Sequence, residues 1–214
     1  VRLNLFLLQL VRLLAILLVC HTTLVVVLTL RDYFPPNFRS TFLLGREGHF
    51  FGPYRWAFTA HVLSGPFCLL SGLVLLSEGV RRRWPALHRG LGKAHVVAVI
   101  ALLTPSGLWM APYAMEGVVP AAGFATLAVA TGASAATGWR MAAVRRFREH
   151  QRWMQRTFAL LVSAVVLRVI GGASEVWGLE GTYPWAAWLS WLVPLMALEL
   201  LRVPRVRSVF VPVA

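Results

Sequence analysis

The sequence predicts an all-α bundle of six membrane-spanning helices with both chain ends on the cytoplasmic side. Three observations carry this reading. Of 214 residues, 58% are hydrophobic and only 14% charged, with a mean hydropathy of +0.68; a soluble domain is closer to half apolar and a quarter charged. The apolar residues gather into six runs, each near the roughly 20 residues that cross a bilayer. The basic residues collect between alternate runs. Arg140–Arg156 holds six arginines and one glutamate, and such a cluster marks a loop retained on the side of insertion. With that loop inside, sixteen of the 21 Lys and Arg fall inside, Arg31, Arg39, Arg46 and Arg55 fall outside, and Arg168 lies within a span. The net charge of +13 is then topology, with anionic headgroups as its partner rather than nucleic acid. The location this implies is a bacterial inner membrane.

The elements follow in order, as one domain over residues 1–214. Span one covers about 13–30, and its first apolar run lacks a small-x-small cleavage site, so no cleaved leader is expected. Residues 31–55 form the longest connection. Pro35-Pro36, Gly45, Gly48 and Gly52 forbid a single helix, and aromatic residues interleaved with arginine suit an outer cap lying on the headgroups, with His49 exposed. Span two covers about 56–77 and carries His61 and the run Ser64-Gly65-Pro66, where a kink or close contact is expected. Span three covers about 94–110, with His95 at its inner edge and an interruption at Pro105. Span four, about 121–139, repeats small residues at Ala128, Gly132 and Ala136, the spacing that lets a second backbone approach. Span five covers about 153–173 with Arg168 in its outer half. Span six, about 185–201, has Trp185, Trp188 and Trp191 as interface anchors, and R-V-P-R-V-R closes the chain inside.

Polar residues inside a bilayer are costly and need a reason. At about 1.5 Å per residue, His21, His61 and Arg168 all fall in the outer half, where they could line one ligand-binding pocket. For His21 a packed imidazole bonded to a carbonyl or to Thr22 or Thr23 stands beside the ligand role, and for His61 packing stands beside the site. Arg168 stays charged, so it must reach Glu175 or Glu180, pair with an anion, or satisfy free carbonyls. A second group gathers at the inner face: His88, His95, Glu149, His150, Trp153 and Arg156. Either these form a hydrogen-bond network between loops, or facing histidines such as His95 and His150 ligate a b-type haem. The two cysteines, Cys20 and Cys68, lie in apolar runs and have no metal or redox spacing. No catalytic motif is present, and no paired carboxylates share a membrane helix, so no catalytic residue is assigned.

The motifs F-T-A-H-V-L-S-G-P at 58–66, L-H-R-G-L-G-K at 87–93 and H-Q-R-W-M-Q-R at 150–156 occur in that order, with L-R-V around Arg168. Together they resemble the bacterial predicted membrane proteins of domain-of-unknown-function family 2306, over roughly residues 56–170. The resemblance implies that His61, His88, Arg89, His150, Trp153, Met154, Arg156 and Arg168 match the family pattern, whereas His95 stands where an aromatic residue is expected. A looser similarity of layout to cytochrome b561 motivates the haem alternative by analogy alone. Three functions are therefore carried forward. The first is a non-catalytic accessory subunit of a larger membrane complex, with an outer-half His/Arg site for an anionic group or lipid. The others are a haem-binding electron carrier and a small-molecule or lipid transporter.

Overall fold

The computed structural model describes residues 2–40 and 42–202; the closing arginines Arg205 and Arg207 lie outside the described residues. Every regular element among the described residues is helical. Helix α1 runs Arg2–Thr29, a short α2 runs Glu47–Phe50, and α3 runs Pro53–Leu75. Helices α4 (Glu78–Arg83) and α5 (Pro85–Val97) follow, and α5 continues through a π-helical turn at Ala98–Leu103 into α6 (Thr104–Met110). Then come α7 (Val118–Ala143), α8 (Phe147–Leu161), α9 (Ser163–Trp177) and α10 (Tyr183–Leu200). Gly178, left-handed at φ +61°, closes α9, a conformation that costs glycine nothing.

Five segments are long and apolar enough to cross a membrane: Gln9–Asp32, Pro53–Leu75, Pro85–Tyr113, Val118–Ala143 and Phe147–Trp177. The sixth predicted span, α10, is helical and packs on α7, α8 and α9. Its tryptophans, Tyr183, Pro184 and Glu199 leave it below the hydropathy of the other five.

Two of the five segments are interrupted part-way along their length. Pro105 has no N–H to offer the carbonyl one turn back, and the chain absorbs this in the wide π turn just before it, a recurrent device at such places. The interruption expected at Pro105 therefore falls a few residues earlier. The Phe147–Trp177 segment breaks at Val162, whose carbonyl accepts from both Val165 (2.9 Å) and Val166 (3.1 Å). In contrast, α3 runs through Pro66 unbroken.

Two apolar cores hold the bundle. The central one joins Val19, Cys68, Leu69, Ala98, Val99, Ala135, Leu161 and Val165, so five elements and the π turn meet there. The second is built by the connection 31–55. Tyr33, Leu43, Phe50, Tyr54 and Phe58 are buried together, with Tyr33 edge-on to Phe58 at 5.1 Å. The segment folds onto the end of α3 as a lid, with Tyr33, Phe50 and Tyr54 turned inward and Phe34, Phe42 and Phe51 left exposed. His49 is not exposed. It is half-buried, stacked on Tyr113 at 4.8 Å and edge-on to Tyr54 at 5.0 Å.

Burial first, and the Arg46 guanidinium second, hold His49 below its ordinary pKa. The folded cap thus binds fewer protons than the unfolded cap, and its stability falls as pH drops through the ordinary histidine value near 6.5. Limited proteolysis of residues 31–55 should accelerate between pH 7.5 and about 5, and His49→Gln should remove that pH dependence.

The small-residue seam of α7 also differs from its predicted line. Ala128 and Gly132 are buried, but Ala136 is exposed, and the seam continues through Thr131, Ser134, Ala135 and Gly138. A strict four-residue step drifts around a helix of 3.6 residues per turn, so the packed face must alternate steps of three and four. Val129 is 55% exposed on the far side.

A basic cavity beneath the aromatic lid

Between the lid and the central core lies a cavity of about 270 Å³. Helices α1, α3, α6, α7, α8, α9 and α10 all contribute to its wall. The lid end is polar: Tyr33, Tyr54, Tyr113, Tyr183, Arg46 and Arg168 line it. The deep end is apolar, with Leu69, Leu103, Leu160 and Leu161. No aspartate or glutamate is among the described lining residues.

His61 and Arg168, predicted to share a site from depth alone, both line this cavity. His61 is half-buried, and its Nδ1 lies 3.2 Å from the Ser106 hydroxyl, whose own proton goes to the Leu103 carbonyl at 3.0 Å. Arg168 donates Nη1 to the Ala164 carbonyl one turn back at 2.9 Å and is otherwise accessible. Of the options open to Arg168, the bond observed is to a carbonyl, that of Ala164 on its own helix. It satisfies one donor and leaves the charge without a carboxylate.

His21 does not join them. It is exposed on α1, while its neighbours Thr22 and Thr23 are buried and face the cavity. One residue is a 100° turn, and α1 is apolar on every side, so its pattern did not reveal the packed face.

Several lining residues were not foreseen. Arg46 is 7% accessible, with Nε on the Phe42 carbonyl (2.8 Å) and Nη1 on Tyr113 O (2.9 Å) and Tyr54 Oη (3.3 Å). Its donors hold carbonyls and a phenol, so its charge reaches the cavity unneutralised. Thr104 Oγ1 and Ser190 Oγ line the same space and are buried without a hydrogen-bond partner, a condition proteins rarely tolerate unless water or a ligand fills it. Arginine interleaved with aromatic residues in 31–55 was the only sequence signal for any of this.

The inner-face residues form a clamp. His150 Nδ1 lies 2.8 Å from the Gly138 carbonyl of α7. A Cβ at Gly138 would stand 2.7 Å from Met154 Sδ and 3.4 Å from Trp153 Cβ. Arg156 lies over the Trp153 ring at 4.5 Å and grips Glu199 of α10 with two bonds, 2.7 and 3.1 Å. The H-Q-R-W-M-Q-R run thus fastens α8 to α7 on one side and to α10 on the other. His88 is half-buried with Nδ1 unpartnered.

His95 is 2% accessible, with Nδ1 2.8 Å from Ser71 Oγ. Gly72 and Phe158 pack against one side of the ring: a Cβ at Gly72 would be 2.7 Å from the Phe158 ring and 3.3 Å from His95 Cε1. Among the described residues, no three His, Cys, Asp or Glu side chains cluster as a metal site.

These features define a multi-span α-helical membrane protein with a basic, amphipathic cavity under a folded lid. The chain belongs to the DUF2306 family, described as predicted membrane proteins, with residues 58–202 matched. The match extends beyond the resemblance read from the motifs and takes in α10. No curated protein and no solved structure matches the chain.

Proposed function

We propose that this protein is a non-catalytic lipid-binding accessory subunit of a larger bacterial inner-membrane complex, whose cavity holds the anionic headgroup of one lipid. The observation that carries the reading is the cavity's charge: the guanidinium groups of Arg46 and Arg168 line it, and no carboxylate among the described residues does. An anion would neutralise the accessible Arg168, accept from its fork, and occupy the unpartnered hydroxyls of Thr104 and Ser190. The apolar deep end takes the first methylenes of an acyl chain, and a space of about 270 Å³ leaves the rest of the lipid outside. In this reading α10 is the sixth span, both termini are cytoplasmic, and the lid faces the outer side.

Mass spectrometry of the protein released from native nanodiscs tests the binding. An acidic lipid near one per chain is expected; a preparation with neutral lipids alone, or none, would remove the proposal. Orientation has its own test. Single cysteines at Arg81 and Arg145 should resist a membrane-impermeant maleimide in intact cells, and those at Arg39 and Glu116 should react. Labelling of the Arg145 position from outside would invert the layout.

A further inference from the structure

The outward placement of His21 concerns a different face of the molecule and does not depend on the cavity. On α1 the packed positions are Val19, Thr22 and Thr23, with Val26 and Thr29 half-buried beside them. The opposite side is open: Leu14, Leu17, Leu18, Leu24, Val25 and Leu28 are each 42–57% accessible. At 3.6 residues per turn all six lie within about 60° of His21, so the imidazole stands at the centre of an apolar stripe. Leu14, His21 and Leu28 recur every seven residues, with Leu17 and Leu24 between them. That is the a and d pattern of a helix that packs along another helix.

Depth makes the position demanding. The apolar segment runs Gln9–Asp32, which puts His21 roughly 17 Å from either end of that segment. No hydrogen bond joins His21 to another described residue, and lipid tails offer neither donor nor acceptor. Ionisable residues at this depth face protein or water rather than lipid.

We infer that this stripe is a homodimer seam: α1 packs in parallel against α1 of a second copy, with the two His21 rings paired across a two-fold axis. A second copy meets every requirement of the site. Copies of one chain insert in one orientation, so their His21 residues reach the same depth without adjustment. A neutral imidazole has one N–H donor and one acceptor nitrogen, so two facing rings complete one hydrogen bond. On an isologous interface the residue at the axis meets itself. A single polar residue at an a position also sets the register of an otherwise uniform leucine seam. The other side of α1 is already occupied by α3 and α9, so the dimer leaves the cavity wall in place.

The test uses the full chain in native membranes, with Cys20→Ser to remove the exposed thiol and the fully buried Cys68 retained. Leu14→Cys, Leu17→Cys and Leu28→Cys should each give disulfide-linked dimers on mild oxidation. Val27→Cys, similarly accessible but about 120° around the helix, should not. His21→Leu should raise the dimer dissociation constant on the order of ten-fold, the scale of one interhelical polar contact in a membrane, and His21→Asn should recover most of the affinity. Four results would overturn the seam: a monomeric wild-type protein at every membrane density, equal cross-linking at Val27→Cys, an unchanged dimer in His21→Leu, or cross-links to a chain of another mass.

Discussion

Gly132→Leu should leave little folded protein. A Cβ at Gly132 would come within 2.8 Å of Thr104 Cγ2, 2.9 Å of its Oγ1 and 3.3 Å of its Cβ, so even alanine forces a shift. Thr104 opens α6 immediately after the π turn, where the backbone is already adapted to Pro105 and has little freedom to retreat. Overpacking a close-packed seam costs about 1–3 kcal/mol for modest additions, and a full leucine belongs at or above the upper end. Thermal unfolding in detergent, followed by tryptophan fluorescence, reads the loss. Val129→Leu, on the exposed side of the same helix, should change little. The pairing can be checked directly: Thr104→Ala removes the two shortest clashes and should partly restore Gly132→Ala. If Gly132→Leu melts like the wild type, α7 is not packed as described.

Arg168→Leu should separate binding from folding. In the folded chain the guanidinium donates one hydrogen bond, to a carbonyl of its own helix, and carries a charge whose presence inside a bilayer costs about 2.5 kcal/mol or more at mid-depth. Replacing it should leave thermal stability unchanged or raised. Lipid retention should fall at least about ten-fold, since a hydrogen bond to a charged group contributes about 1.5–3 kcal/mol. Arg168→Lys should recover part of the loss, because an ammonium keeps the charge without the fork that grips two oxygens. Acidic lipid retained at the wild-type level in Arg168→Leu would mean that the cavity recognises its occupant by other means.

Much of the architecture is legible in the amino-acid sequence, for reasons that lie in local chemistry. Hydrocarbon thickness sets span length, so the five strongest segments can be counted from apolar runs. The meeting of His61 and Arg168 on one cavity follows from residue rise alone, since both lie at similar distances from the same end of the bundle. The small residues of α7 point to a close contact, although their strict four-residue spacing misplaces its far end at Ala136 instead of Ala135 and Gly138.

Other features require the packed bundle. Nothing within 31–55 reveals that Arg46 folds back to the Tyr113 carbonyl, 67 residues away, or that His49 stacks on the Tyr113 ring. Arg156 and Glu199 are 43 residues apart, and no pattern along the chain joins them. Helix α10 sits at the margin of the hydropathy signal, yet its contacts with α7, α8 and α9 are unambiguous in three dimensions.

What the sequence determined by itself is the kind of protein, because that depends on composition and on the length of the apolar runs. Which way each polar group faces was decided only by the tertiary structure. In a helix that is apolar on all sides, as α1 is, the bilayer accepts every rotation nearly equally. Side-chain packing against the neighbouring helices selects one, and that selection turned Thr22 and Thr23 inward and left His21 facing out.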